Sequence, residues 1–251
     1  YRDQHIVSDS NISPLIFIVD NFTRTTPSRP SLLTYDELTT FLHEFGHSLH
    51  GMLSDCKYQG LSGTNVARDF VELPSQFMEN FALEKEWLRT WAVHYKTGET
   101  IPEDLIDRMK SSSTFNEGYA CNRQLGFGFL DMAWHTITET VTGDVTTFEK
   151  AAMERTELFP AVKETNLSVS FGHVFSGGYA AGYYGYKWAE VLDADAFSLF
   201  REKGIFDHNT AMSFRKNILE KGGSRKPMDL YINFRGREPS IEAFLERSGL
   251  K

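Results

Sequence analysis

Two short segments of the chain carry residues whose types and spacing are typical of a metal-dependent hydrolase. Residues 43–47 read His-Glu-Phe-Gly-His, an H-E-x-x-H motif. On a helix this spacing places His43 and His47 on one face, one turn apart, so both imidazoles can reach one metal ion. A catalytic zinc site needs a third protein ligand and an open position for water, and Glu72 is a candidate ligand. Glu44 would lie beside the metal, where its carboxylate can accept a proton from that water.

Each part of this pattern also has a purely structural interpretation. The five-residue motif can occur by chance, and two histidines on a helix can simply be exposed side chains. Glu72 ends the string Asp-Phe-Val-Glu, in which Asp69 could be the N-cap of a helix and Glu72 its capping partner. The residues alone therefore leave Glu72 with two alternatives, metal ligand and helix cap.

The motif requires a helix, and the surrounding residues predict one from about 35 to 53. Apolar residues recur with helical period on one side of it: Leu38, Phe41, Leu42, Phe45, Leu49, Met52 and Leu53. The histidines at 43, 47 and 50 fall on roughly the opposite side. Thr34 and Glu37 form a capping box at its start. We expect this helix to bury its apolar face and to present its histidines elsewhere.

A second unusual segment, residues 171–186, combines glycines with a histidine and several tyrosines. The glycines, at positions 172, 177, 178, 182 and 185, allow a backbone to approach another group closely. With a helix from about residue 179, three tyrosines fall within about 60° of one another: Tyr179, Tyr183 and Tyr186. Their hydroxyls, or the imidazole of His173, could donate a hydrogen bond to a developing oxyanion. A tyrosine stripe at helical spacing is also typical of packing, so that alternative stays open here.

The rest of the chain predicts a mainly α fold with one or two short β-strands near the N-terminus. A strand is expected at residues 14–19, and residues 161–178 are expected to be irregular. Further helices are predicted at about 70–95, from 102, and at about 116–142, 146–158, 179–203, 210–221 and 240–247.

Composition excludes several classes of protein. The 251 residues carry a net charge of −8, which argues against a nucleic-acid partner. The sequence has no apolar run of eighteen residues, so no membrane partner is expected. Cys56 and Cys121 fit no C-x-x-C pattern and are interpreted as reduced thiols. No targeting segment is recognisable, so the expected location is cytoplasmic, with the periplasm as an alternative.

Taken together, the motifs resemble those of the thimet oligopeptidase and peptidyl-dipeptidase family of zinc metallopeptidases. The resemblance covers residues 14–250, and its motifs occur in the family's order: 43–47, Ser-Gly-Thr-Asn at 62–65, Arg-Asp-Phe-Val-Glu-Leu-Pro-Ser-Gln at 68–76, Asp-Met-Ala-Trp-His at 131–135, and 171–186. Glu72 follows His47 by 25 residues, as the family pattern requires. Residues 177–197 look most like the bacterial peptidyl-dipeptidase branch, whose members release dipeptides from peptide C-termini.

The resemblance implies a multi-helical, zincin-like catalytic domain that binds one zinc ion. The residues carried over are the zinc ligands His43, His47 and Glu72, the general base Glu44, the contacts to the scissile carbonyl His173, Tyr179 and Tyr186, and the substrate-binding residues Gly177, Gly178 and Tyr183. Zinc-bound water would be the nucleophile, and short peptides the substrates.

Family members are longer than this chain and carry a helical N-terminal region that forms the other wall of a channel. Residues 1–251 are therefore expected to be the C-terminal catalytic portion, with the N-terminal region of the same enzyme as its partner. Three functions remain open: a peptidyl-dipeptidase, an endo-acting oligopeptidase of the same family, and a zinc-bearing module that binds peptides without cleaving them. The intact Glu44 argues against the third.

Overall fold

The computed structural model describes residues 1–160, 162 and 164–251, and α-helices dominate it. The helices in this part of the chain are α1 (Tyr35–Met52), α2 (Leu73–Glu79), α3 (Lys85–Leu88), α4 (Glu103–Ser113), α5 (Glu117–Thr136), α6 (Val145–Met153), α7 (Gly172–Phe175), α8 (Gly185–Lys203), α9 (His208–Asn217), α10 (Pro227–Arg235) and α11 (Glu242–Arg247). Two antiparallel strands, β1 (His5–Val7) and β2 (Ser10–Ile12), form a hairpin near the N-terminus. The predicted fold class is thus confirmed. None of the described helices combines the length and the apolar character needed to cross a membrane.

Helix α1 begins where its sequence predicts. The Thr34 hydroxyl accepts a hydrogen bond from the Glu37 backbone N–H at 3.1 Å, and the Glu37 carboxylate accepts one from the Thr34 N–H at 2.8 Å. This capping box satisfies donors that the first helical turn leaves unpaired.

Helices α1 and α2 pack closely because α1 carries a glycine at their contact. A Cβ atom on Gly46 would lie 2.3 Å from the carbonyl oxygen of Pro74, far inside any normal contact. Only glycine therefore allows this spacing. The contact brings the histidine-bearing face of α1 next to the start of α2.

A large apolar core holds this helix pair in place. It lies between α2, α8, α9 and α10 and contains fifteen buried residues. Phe77 of α2 is central to it: its ring lies 4.3 Å from that of Phe214 and 5.0 Å from that of Phe200, measured between centroids. Aromatic pairs at such distances contribute to stability beyond the area they bury.

A second, smaller core holds the segment 171–186 against α5. Its buried members are Phe127 and Leu130 of α5 and Phe171 and Val174 near α7. Tyr183 packs on its edge. The two candidate functional segments thus belong to different cores.

Two predicted elements in the first half of the chain are wrong. The single helix expected from 70 to 95 is divided: α2 has seven residues, and a 3₁₀ turn at Asn80–Leu83 separates it from α3. Residues 14–19 form no strand, since Leu15 makes only an isolated bridge to Arg2. The strands lie upstream, at β1 and β2.

The second half of the chain differs from prediction mainly at residues 179–184. They form turns, and α8 starts only at Gly185. Ala181 has a φ of +51° and Gly178 a φ of +83°, left-handed values that are incompatible with a continuing α-helix. Helix α5 also ends earlier than expected, at Thr136, and α10 was not predicted.

The segment 161–178 was predicted to be irregular. It contains a 3₁₀ turn at Ser168–Ser170 and the short helix α7. Its residues 161 and 163 lie outside the described residues.

Candidate active site

Three side chains from α1 and the start of α2 converge on one point. The Nε2 atoms of His43 and His47 each lie 3.2 Å from Oε2 of Glu72. Within the described residues these three form the one group of His, Cys, Asp or Glu side chains close enough to share a metal ion. Two donors bonded to one tetrahedral ion at the zinc distance of about 2.0 Å would lie about 3.3 Å apart. Both the donor types and their spacing therefore fit an ion of zinc's size.

Glu79, which the sequence analysis missed, lies behind the first histidine. Its Oε1 atom is 2.6 Å from Nδ1 of His43. When Nδ1–H donates to this carboxylate, the Nε2 lone pair faces the metal position, an arrangement that also makes the imidazole a better ligand. A signal for it existed: Glu79 follows Glu72 by seven residues, two turns along one helix face.

Two hydroxyl groups hold the Glu72 carboxylate, which is only 2% exposed. The Ser75 hydroxyl lies 2.9 Å from Oε2, and the Tyr179 hydroxyl donates to Oε1. Among the described residues, no side chain caps α2. Asp69 instead accepts a hydrogen bond from the Tyr184 hydroxyl at 2.8 Å, so the capping alternative for Asp69 and Glu72 is wrong.

The electrostatics of the group favour a positive charge at its centre. Burial lowers the pKa of His43, but its hydrogen bonds with Glu72 and Glu79 outweigh that effect and raise the pKa to about 10. Burial also acts to raise the pKa of Glu72, yet hydrogen bonds from His43, His47 and Tyr179 lower it far below its ordinary value. A carboxylate held ionised among imidazoles attracts a cation, and a metal ion would take the place of the proton.

His50 continues the histidine row of α1 but is fully buried. Burial, together with repulsion from His47, lowers its pKa to about 3, so its ring is neutral. Neither of its ring nitrogens, nor Nδ1 of His47, has a hydrogen-bond partner among the described residues. The second histidine of the motif therefore lacks a counterpart to Glu79.

Glu44 is half-buried on α1, next to the first histidine of the motif. Within the described part of the chain its carboxylate has no hydrogen bond or ion pair to a protein group. A carboxylate without such partners is available to accept a proton from a bound reactant.

The predicted tyrosines do come together, although by a loop rather than by a helix. The rings of Tyr179 and Tyr186 stack at 5.0 Å, and Tyr183 lies 5.1 Å from Tyr186. His173 lies 6.1 to 6.4 Å from all three rings. The Tyr179 hydroxyl connects this cluster to the candidate metal ligand Glu72.

The hydroxyls of this cluster differ in what they contact. The Tyr183 hydroxyl donates to Gln124 of α5 at 3.0 Å. Burial raises the pKa of Tyr186 well above its ordinary value, and the nearby Tyr179 hydroxyl and Glu72 carboxylate raise it further. Burial and Glu72 also raise the pKa of Tyr179. Tyr179 and Tyr186 therefore keep their protons at neutral pH and remain hydrogen-bond donors.

Gly177 and Gly178 have structural reasons to be glycine. A Cβ atom on Gly177 would lie 2.9 Å from Cα of His173, and Gly178 has a positive φ. Their predicted contact with substrate stays a prediction, as do the predicted roles of His173 and Tyr183.

Comparison with known proteins agrees with the resemblance found in the motifs. The sequence pattern of peptidase family M3 matches residues 2–250. Oligopeptidase A of Escherichia coli is 44% identical over 240 residues, which are 95% of this chain and 35% of that protein. Dipeptidyl carboxypeptidase of Salmonella typhimurium is 41% identical over 239 residues (94% and 35%), and thimet-like oligopeptidase of Dictyostelium discoideum is 38% identical over 242 residues (94% and 35%). The chain thus spans about a third of the length of these relatives.

Proposed function

The chain belongs to peptidase family M3, and from this premise we propose that it supplies the zinc-dependent catalytic centre of an enzyme that hydrolyses peptide bonds in oligopeptides. The observation that carries the proposal is the convergence of His43, His47 and Glu72, with Glu44 next to His43 on the same helix. The names of the relatives, oligopeptidase and dipeptidyl carboxypeptidase, support peptides as the substrate class.

One zinc ion would be held by His43, His47 and Glu72. When bound, zinc acts as a Lewis acid towards the scissile carbonyl and lowers the pKa of water towards about 7. Glu79 would fix the orientation of the His43 ring, and Ser75 that of the Glu72 carboxylate.

The protein side chains would move the protons. Glu44 accepts a proton from the attacking water, whose oxygen bonds to the carbonyl carbon. Glu44 then passes that proton to the amine nitrogen as the carbon–nitrogen bond breaks, so the net reaction consumes one water and yields a carboxylic acid and an amine. Tyr186 and His173 would donate hydrogen bonds to the oxyanion, in line with the protonated state of Tyr186. Tyr179 would share that task while it holds Glu72.

We propose release of C-terminal dipeptides as the mode of cleavage. The likeness of residues 177–197 to the peptidyl-dipeptidase branch supports it, as does the 41% identity to a dipeptidyl carboxypeptidase. The 44% identity to an oligopeptidase A supports the alternative, cleavage within the peptide. Product analysis of one oligopeptide with a free and with an amidated C-terminus separates the two, since a dipeptidyl carboxypeptidase needs the free carboxylate.

The proposal is tested at Glu72, with Asp69 as the matched control. Glu72→Ala in the intact protein is expected to lose zinc on dialysis and to lose peptide hydrolysis, because one of three ligands is gone. Asp69→Ala removes a nearby carboxylate that contacts only Tyr184 within the described residues, and it should keep its zinc. Full zinc content and normal hydrolysis in Glu72→Ala would contradict the proposal.

A further inference from the structure

We infer that Asp131 of α5 is a positioning residue that holds the tyrosine loop, residues 177–184, at the metal centre. This inference rests on the proposed function, because it assigns Asp131 an effect on catalysis through the tyrosines. Residues 131–135 belong to the motifs that carry the family resemblance, and the proposed mechanism gives them no role.

Asp131 receives hydrogen bonds from the backbone of the loop on both of its oxygens. The Ala181 N–H donates to Oδ1 and the Tyr183 N–H donates to Oδ2, each at 2.9 Å. Nδ1 of His135, one turn along α5, lies 2.8 Å from Oδ1. The carboxylate is completely buried. It therefore exchanges its contacts with water for contacts with this loop and with its own helix.

The loop needs such an attachment because its own backbone does not favour this shape. Ala181 adopts a left-handed φ of +51°, which residues with a Cβ atom rarely adopt. Such a conformation persists only where the surroundings hold it. One of the two N–H groups that Asp131 accepts from is that of Ala181 itself, so this contact acts at the strained residue.

The anchored positions lie between the two tyrosines that face the metal centre. Tyr179 precedes Ala181 by two residues, and Tyr186 follows Tyr183 by three. The rings of Tyr179 and Tyr186 stack on each other, and Tyr179 reaches Glu72. A shift of the anchored backbone would displace the Tyr179 hydroxyl and the ring that stacks on Tyr186, and a displacement of about 1 Å in catalytic geometry can cost about 100-fold in rate.

A carboxylate suits this position better than any other side chain of its size. Its two oxygens accept from two backbone N–H groups at once. An asparagine of the same shape keeps one oxygen but turns its NH₂ group towards the second N–H, so one donor is left unpaired in a buried place. Asp131→Asn is therefore a minimal change that breaks one of the two loop contacts.

The experiment compares the intact, zinc-loaded wild-type protein with Asp131→Asn and with the control Asp195→Asn. Asp195 is equally buried on α8, but it accepts from the Tyr231 hydroxyl at 2.7 Å and from Arg237, away from the loop. Five quantities are measured: zinc content, kcat and KM on an oligopeptide, thermal unfolding, and amide hydrogen exchange of peptides that cover 177–186.

We expect Asp131→Asn to keep its zinc, to lower kcat by about 10-fold or more with KM little changed, and to exchange the amides of 177–186 faster. Asp195→Asn should lose thermal stability but keep kcat and slow exchange in the loop. Unchanged exchange in Asp131→Asn would overturn the inference, and so would faster exchange with an unchanged kcat. Wild-type protein that binds zinc but cleaves no peptide would instead overturn the proposed function, and the exchange measurement would still decide whether Asp131 fixes the loop.

Discussion

The metal centre and the tyrosine loop lie side by side, but the chain builds them in different ways. The proposed metal ligands come from α1 and the start of α2, which the glycine contact at Gly46 and the large apolar core hold together. Tyr179 and Tyr183 come from a strained loop on a small core, and Tyr186 follows in the first turn of α8. Long-range hydrogen bonds attach this loop to α5 and to the segment before α2. Regular helices thus fix the groups that would bind the ion, while a few polar contacts fix those that would meet the substrate.

The largest effect is expected on the helical side, at Glu44. Glu44→Gln keeps the shape of the side chain but cannot accept a proton, so kcat should fall by about 10³-fold or more while zinc stays bound. Peptide hydrolysis and zinc content of the intact protein measure this, with exposed Glu246→Gln as the control. Activity within a few-fold of wild type would contradict the role of Glu44 as the general base. It would also contradict the contrast between the roles of the two regions.

On the loop side, Tyr186→Phe should lower kcat by roughly 100-fold with little loss of zinc, because it removes one donor to the oxyanion. Tyr58→Phe is the control, since Tyr58 is an exposed tyrosine outside the tyrosine loop. Steady-state kinetics on an oligopeptide measure kcat and KM of both variants. A change confined to KM would place Tyr186 in substrate binding rather than in stabilisation of the oxyanion.

The variant Glu79→Ala tests whether Glu79 affects catalysis only through zinc binding. Glu79→Ala leaves the Nδ1 atom of His43 without its partner and should weaken zinc binding by about 10- to 100-fold. Competition with a chelator of known affinity measures this, and exposed Glu86→Ala on α3 serves as the control. Once zinc is saturating, kcat should return close to the wild-type value. A kcat that stays low would show that Glu79 also contributes to the chemistry.

The smallest effect is expected at the cap of α1. Hydrogen bonds from the Thr34 and Thr23 backbone N–H groups, and from the Thr23 hydroxyl, lower the pKa of Glu37. Ionised Glu37 therefore stabilises the fold above its ordinary pKa, and this contribution is lost as the pH falls through the lower pKa of the folded state. Glu37→Gln should lower Tm slightly at pH 7, and the difference from wild type should vanish in acid. A difference that does not change with pH would assign the effect to shape rather than charge.

The helical region could be predicted from sequence because its signals are local. The capping box, the apolar period of α1 and the spacing of the two histidines all lie within nineteen residues, from Thr34 to Met52. The prediction of a strand at 14–19 is wrong although its residue types favour one, because a strand also needs a partner strand. The prediction of one helix at 70–95 is wrong because periodicity alone does not reveal the break at Asn80–Leu83.

The loop region could not be derived in the same way. The sequence predicts correctly that its tyrosines lie together, but it places them on one helix, whereas α8 starts only at Gly185. The contact that fixes them joins Asp131 to residues about fifty positions away, and no local pattern encodes such a pairing. Ala181 adds to the difficulty, since alanine favours a helix and here adopts a left-handed turn.

The close contact of α1 and α2 at Gly46 also bears on how the protein gains and loses its metal. Packing already brings the donor atoms of His47 and Glu72 to 3.2 Å. Folding of the site would therefore not depend on the binding of the ion. Zinc fingers, by contrast, unfold when their ion is removed. We expect chelation to give a folded apoprotein that regains activity when zinc is returned. We expect such a preformed site to accept other divalent ions by exchange, so the metal that it holds would depend on the ions available in its surroundings as well as on the ligands.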